Sequence, residues 1–457
     1  MAERTPEQWL KVMLEDLTAQ HRVVNTMEAW YQGRHPLPSA SATNSDLYRK
    51  FQRMAQSNLL TQVVDAVGSR LSVEGIRMGD ESADEDAWAM WQKSSMDANQ
   101  TMLMETALSC GLAYVSVWPD GEGSVRFSPE HPGEVTHRMV PGSLHRVQAA
   151  VKVYADDDDW VATLWLEDAV YTWRGKGDWD AWSVWEPTGG WGNPYGEVPI
   201  RPLLNKPTLR GGWQSEMSDA IPIQERINQT LLNMMVAEEA VAFPQRWATG
   251  LEIQKDANGV PQRPFKSSPD GLWVAEDETA RFGQFAESSL DGYLHAISAD
   301  VEAMAAVTST PLFAMSAKLS VPPSAEALTA MESSLVKKVE ARQRIFGEAL
   351  EDTFRLAFKM LGDARADAND AEVIWRDPSI RSDAALADYV VKVASVGVPK
   401  QALWEKLGAS PQEIVRWESQ SMSEAFMQLV AQVGQQGQQQ ASDQQAADQQ
   451  QTTDQGA

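Results

Sequence analysis

The stretch Ser324-Ala-Glu-Ala-Leu-Thr-Ala-Met-Glu-Ser-Ser-Leu-Val-Lys-Lys-Val-Glu-Ala-Arg-Gln-Arg-Ile-Phe-Gly-Glu-Ala-Leu-Glu-Asp-Thr-Phe-Arg-Leu-Ala-Phe-Lys-Met-Leu361 decides the architecture. Ser324 is a suitable helix cap. After it, Leu328, Met331, Leu335, Val339, Phe346, Leu350, Phe354, Phe358 and Leu361 recur at helical spacing. Only Gly347 interrupts the pattern before Gly362, and one glycine is tolerable inside a helix. A helix from Ser324 to Leu361 would be roughly 57 Å long. That exceeds the usual globular helix and predicts a scaffold spanning the molecule. Its basic residues (Lys337, Lys338, Arg342, Arg344, Arg355, Lys359) balance its acids (Glu326, Glu332, Glu340, Glu348, Glu351, Asp352).

Upstream, Thr5, Pro6 and Gln8 form a capping box with proline at the first helical position. Trp9, Met13, Leu17, Val24, Met27 and Tyr31 then mark one helix face, ended by Gly33 and Pro36. Short helices follow over 47–54 and 59–70, and Trp88 and Trp91 share a face of another. From Ala113 the period becomes that of strands. Ala113–Trp118, Val125–Phe127 and four further runs through Glu186 predict a mostly antiparallel sheet. The Gly- and Pro-rich run 189–207 predicts irregular chain. Ile223, Ile227, Leu231 and Met234 start a long helix that ends by Pro244. Residues 245–285 read as short strands with a hairpin turn at Asn258-Gly259. Residues 290–308 are helical again, and Pro311, Pro322 and Pro323 break the chain before the long helix. Glu372–Pro378 is a strand candidate, followed by small helices to Val433. Residues 434–457 are Gln-rich, lack any apolar side chain larger than alanine, and predict disorder.

Of 457 residues, 39 are Lys or Arg and 64 are Asp or Glu, a net charge of −25. Tight nucleic-acid binding needs cations to displace counterions from phosphate, so this chain is no ordinary DNA reader. Attachment to a membrane through basic residues is disfavoured too. No apolar run approaches the ~18 residues that span a bilayer, and the N-terminus lacks a secretory pattern. The single cysteine, Cys110, excludes an intramolecular disulfide and reads as a packing residue.

Catalytic signatures are absent. There is no phosphate-cradling GxxxxGK[ST], no HExxH and no GxSxG. His131, His137 and His145 lie close in sequence without metal-ligand spacing, and loop histidines are the ordinary reading. Asp156–Asp159 lacks the glycine of a calcium loop and reads as a solvated hairpin tip. The chain has 18 tryptophans, several of them between Trp160 and Trp191. They leave a carbohydrate-binding or carbohydrate-cleaving protein as an alternative, with sheet-core or interface packing the plainer account.

Taken together, long helices, small β-modules and no catalytic signature point to assembly rather than catalysis. The sequence then resembles the portal proteins of long-tailed, siphovirus-type double-stranded DNA bacteriophages. The resemblance covers roughly Asn25 to Glu424. It rests on the order and spacing of WYQGRHPLP, VVDAVGSRLSVEGIR, ALSCGLAYVSVWPDGEG, NPYGEVPIRPLLNKP, IPIQERINQTLLNMMVAEEAVAFPQRWATG, TSTPLFAM, PSAEALTAMESSLVKKVEARQRIFG and IWRDPSIRSDAALADYVVKVASVGVP.

The resemblance implies an α+β, mainly helical portal fold with a long spine helix, a β-rich wing and a small β-containing clip, assembled as a ring. The implied units are a wing at 1–218, stem helices at 219–243 and 287–308 and a clip at 244–286. A channel loop at 309–323, a spine helix and wing return at 324–371, a crown at 372–433 and the tail complete the chain. It further implies a homo-dodecamer at one capsid vertex, through which double-stranded DNA is packaged and ejected without sequence specificity. Implied partners are the terminase large subunit, then the head–tail adaptor, with the major capsid protein and scaffold and no membrane. The implied location is the virion, with assembly in the host cytoplasm, and no cofactor, metal or enzymatic activity is expected. In the channel loop, Lys318 would be the charged side chain able to touch phosphates, while Leu312, Phe313, Met315 and Leu319 pack neighbouring loops. Arg246, Trp247, Leu251 and Trp273 are the clip residues that would contact partner proteins, with packing inside the clip as the other reading.

Overall fold

The computed structural model describes residues 4–39, 46–79, 83–181, 184–242, 246–250, 279–284, 289–315, 324–379, 383–409 and 413–422. The expected Asn258-Gly259 turn and the Gln-rich tail lie outside these residues. The chain mixes helices with antiparallel sheets, an α+β arrangement.

Helix α1 (Pro6–Tyr31) begins at the Thr5–Gln8 capping box, whose two reciprocal hydrogen bonds are both formed. Helices α2 (Asp46–Met54), α3 (Leu60–Gly68), α4 (Glu85–Lys93) and α5 (Met96–Cys110) follow, with strand β1 (Val73–Arg77) between α3 and α4. The β-rich stretch forms two sheets rather than the one expected. β2 (Leu112–Pro119), β3 (Val125–Glu130) and β9 (Ile200–Leu204) make the first, in the order β3-β2-β9. β4 (Val135–Met139), β5 (Val147–Asp156), β6 (Asp159–Leu166), β7 (Ala169–Gly175) and β8 (Trp185–Gly192) make a meander in sequence order.

Two of these strands correct the expectation of irregular chain over 189–207. β8 continues through Gly189, Gly190 and Gly192 because it is an edge strand, and a Cβ on Gly190 would come within 2.8 Å of the Tyr171 ring. β9 carries Pro202 because it also lies at an edge, where a missing N–H costs no ladder bond.

Three apolar clusters hold these layers. The Trp9, Leu10, Met13 and Leu17 face of α1 covers Val151, Val153, Leu164 and Trp173 of the meander. Leu112, Tyr114, Trp165 and Ile200 pack between the two sheets. The largest cluster gathers α3, α4, α5, β1–β3 and the long helix α9 (Ala325–Leu361). There Phe354 stacks near Trp91, with ring centres 5.9 Å apart, and meets Phe127 edge-on at 5.0 Å. Ser324 caps α9 through Ala327 N–H, and Gly362 ends it in the left-handed conformation. Burial follows the predicted stripe from Leu335 to Phe358, whereas Met331 and Leu361 stay exposed near the two ends.

β12 (Glu372–Trp375) returns to pair antiparallel with β1, and Val373 enters the main core. The unit expected from 372 thus opens on a strand that pairs with the main body. Beyond it, α10 (Asp383–Ala394), α11 (Lys400–Lys406) and a helix over 413–422 form a smaller helical group, in which Trp404 meets Trp417 edge-on.

Candidate functional site

The site is a helical hairpin and the machinery that fixes its base. α6 (Ile221–Ala242) packs against α7 (Asp291–Thr308), and between them lies the strand pair β10 (Arg246–Thr249) and β11 (Arg281–Gln284). Ile223, Ile227 and Leu232 bury the first half of α6. Met304, Ala305 and Thr308 bury only the last turns of α7. One end of the hairpin is therefore rooted in the core while the other stands clear of it. Leu294, near the start of α7, is half exposed.

The two helices carry one cation, Arg226, against six carboxylates: Glu225, Glu238, Glu239, Asp291, Asp300 and Glu302. Arg226 is spent on Asp300, to which both its Nε and Nη2 donate. The hairpin thus presents an acidic surface whose single guanidinium is already paired.

Polar side chains lock the root. Gln224 and Asn228 lie one turn apart on α6, both buried. Asn228 Oδ1 accepts from the Ser57 N–H and Oγ, and its amide contacts His35 Nε2 at 2.7 Å. Gln224 accepts the Leu59 N–H and donates to Ser57 O. His35 stacks flat on Trp30 at 4.4 Å, and burial lowers its pKa, which favours neutral imidazole.

A second lock uses charge. At Gly111, which caps α5 with φ +86°, a Cβ would sit 2.7 Å from backbone atoms of Gln214 and Ser215. Glycine here lets the 213–216 segment cross the end of α5, where the Glu216 N–H donates to Leu108 O at 2.9 Å. The crossing delivers the Glu216 carboxylate to α9, where Arg342 Nε donates to it at 2.8 Å and Lys338 Nζ lies at 2.7 Å. Lys206 Nζ approaches at 3.8 Å. Burial alone would raise the Glu216 pKa, but the three cations outweigh it and hold it at about 2. Burial lowers the Lys338 pKa, with Glu216 opposing that shift.

Lys338 also donates to the Thr308 carbonyl at 2.8 Å, at the C-terminal end of α7 where a cation suits the helix dipole. Ser309 then turns left-handed at φ +53°, Thr310 N–H reaches Ala305 O, and the turn α8 (Leu312–Met315) begins.

Within the expected channel loop, 312–315 is therefore helical. Met315 is buried in the chain's own core, Leu312 is exposed and Phe313 is intermediate. Lys318 and Leu319 lie outside the described residues, as do Leu251 and Trp273. Arg246 pairs with Gln284 in the β10–β11 ladder. Trp247 is partly exposed and its ring lies over Gly283, where a Cβ would meet it at 2.5 Å.

The remaining candidates have structural explanations. Trp165, Trp173 and Trp185 are core residues closed to a sugar, whereas Trp160 and Trp179 are partly buried and Trp191 is exposed. Asp156–Asp159 is the β5–β6 turn, paired with Arg174 and Lys176. His137 contacts the Tyr114 hydroxyl, His145 is exposed and His131 pairs with Glu28, so the three do not converge. Glu28, Cys110 and His131 do bring ligand atoms within 4.8 Å of one another. However, Nδ1 of His131 accepts the Gly133 N–H, which places the ring proton on Nε2, facing Glu28. A metal on Nε2 would need that proton on Nδ1 instead, against another donor, so the trio reads as a His131–Glu28 hydrogen bond beside the buried Cys110.

The residues that sequence reasoning missed are Glu216, Lys338 and Arg342. One signal was present: the apolar stripe of α9 skips from Val339 to Phe346, and Arg342 and Gln343 fill the gap as buried polar residues.

Comparison with known proteins places this architecture. Residues 10–425 match the family "Phage portal protein, SPP1 Gp6-like". The portal protein of Mycobacterium phage D29 is 30% identical over 382 residues, covering 78% of this chain and 77% of the relative. The portal protein of Mycobacterium phage L5 is 29% identical over 385 residues, with the same coverage. A chain from the virion of a native gene transfer agent particle aligns with a TM-score of 0.45 and 12% identity, over 81% of this chain and 96% of that one. With the family model spanning nearly the whole described chain, the protein belongs to the SPP1 Gp6-like phage portal protein family.

Proposed function

We propose that this chain is the subunit of a portal ring, about twelve copies at one capsid vertex of a virion, assembled in the host cytoplasm. Double-stranded DNA passes through its bore during packaging and ejection. In this reading the body at 1–218 is the wing, α6 and α7 form the stem, and 244–286 is the clip. The clip meets the terminase large subunit first and the head–tail adaptor later. Residues 309–323 are the channel loop, α9 is the spine, and the group from 372 to 433, less β12, is the crown. Major capsid protein and scaffold contact the wing. No described helix is long and apolar enough to cross a membrane.

The observation that carries the reading is the α6–α7 hairpin, acidic, standing clear of the core at one end and fixed at the other by Lys338 and Gln224. A conduit must hold DNA without gripping it. Every phosphate neutralised by a wall cation adds affinity, whereas carboxylates repel the duplex toward the axis. Size-exclusion chromatography with light scattering tests the assembly: a mass near twelve chains supports it, and a monomer refutes it.

A further inference from the structure

Against a net charge of −25, one short helix stands out. α2 carries Arg49, Lys50 and Arg53 within nine residues, all exposed, and none has an ion pair among the described residues. At about 100° per residue, Arg49, Arg53, Lys50 and Met54 fill one continuous sector of roughly 140°. The opposite side holds Tyr48, Phe51, Gln52 and Ala55. Ala55 is fully buried, and Gln52 donates to Pro38 O at 2.7 Å. That inner side packs on α6. The cations therefore face outward because the helix is held by its other face, with the exposed Met54 beside them.

The complementary surface lies on α7. It has three carboxylates and no Lys or Arg. Asp300 is taken by Arg226, and Asp291 accepts from Ser289. Glu302 has no ion pair among the described residues and is exposed; the exposed Leu294 lies about 12 Å back along the helix and about 80° around it. Each patch thus pairs unmatched charge with an uncovered apolar side chain.

We infer that α2 of one copy seats on α7 of the next, with Arg49, Lys50 and Arg53 on Glu302 and its acidic surroundings and Met54 against Leu294. The inference deepens the ring reading and rests on it. A closed ring needs two different mating surfaces on each subunit, and these two are opposite in charge. Between strongly acidic subunits, such a contact offsets repulsion where the copies approach.

The test is the mass in solution of the full chain carrying Arg49→Glu, Lys50→Glu and Arg53→Glu, beside Glu302→Lys and the combination of all four. All substituted positions are exposed, and far-ultraviolet circular dichroism checks folding. At low salt the triple variant is expected to fall from ring to smaller species, with partial recovery in the combination. Carbodiimide treatment of a ring mixed from isotopically light and heavy subunits is expected to join Lys50 to Glu302 in light–heavy pairs. A triple variant that keeps full ring mass overturns the inference and leaves the ring reading intact. So does a triple variant that keeps its ring and loses binding to a 30-base-pair duplex, which would assign the patch to phosphate. A monomeric wild type sinks both.

Discussion

Lys338 Nζ lies 2.8 Å from the Thr308 carbonyl oxygen, so the last turn of α7 is fastened to the long helix α9 by one ammonium group. The same ammonium faces the buried Glu216 carboxylate at 2.7 Å. Replacing Lys338 with methionine keeps the unbranched apolar stem, one atom shorter, and removes both contacts. It leaves Glu216 buried with one cation fewer. Removing one partner of a buried pair costs about 3 to 5 kcal/mol, and the presence of Arg342 puts the expected loss at the lower end. Urea unfolding of the variant beside the wild type measures it, and a loss under about 1 kcal/mol would show that the pair is not structural.

The same cluster predicts how stability depends on pH. Glu216 is held at about 2 in the folded chain, below the ordinary carboxylate value of 4.5. Its folded value is depressed, so its contribution is fully present above about pH 4.5 and is lost as pH falls toward 2. Glu216→Gln lacks the carboxylate at every pH. The stability gap between wild type and variant is therefore expected to be widest near pH 6 and to shrink between pH 4.5 and 2. Unfolding at pH 6, 4, 3 and 2.5 reads it; a gap constant across that window would contradict the assignment.

Gly111→Ala tests the crossing that delivers Glu216. The new methyl would need a left-handed backbone and would stand 2.7 Å from two backbone atoms that cannot swing away. Left-handed strain costs on the order of 1 kcal/mol, and the clash adds to it, for an expected loss of at least about 2 kcal/mol. Gly142→Ala, also at positive φ but with nothing within 4 Å, isolates the backbone cost. Comparable unfolding midpoints for the two variants would show that the crossing is looser than described.

How much of this was readable in advance follows from which contacts are local. α9 could be read because cap, stripe and terminating glycine all lie in one segment. The hairpin helices could be read from their local helical spacing alone. β9 and the glycine-rich second half of β8 could not, because edge position excuses glycine and proline that would break a central strand. The pairing of β1 with β12 joins residues such as Arg77 and Glu372, far apart in the chain, and β1 alone is too short to announce itself. The Lys338–Glu216–Arg342 cluster draws on separate segments, and charge balance along α9 concealed that two of its cations face inward.

Within the site, residue types were easier to anticipate than directions. Leu312, Phe313 and Met315 were grouped by sequence as one apolar set, yet the short turn α8 sends Met315 into the core and leaves Leu312 outside. Trp247 stays partly exposed although its ring covers Gly283, because the two-stranded ladder gives it a partner on one side only.

Copies of this chain are proposed to close around an axis lined chiefly by Glu238 and Glu239 of α6. A cryo-electron microscopy map of the purified assembly, viewed along and through that axis, is the decisive measurement. The expected result is a hollow ring whose stem wall carries Glu238 and Glu239, with Arg49, Lys50 and Arg53 turned toward neighbouring subunits. Compact single subunits, or a bore walled by those three cations, would contradict it.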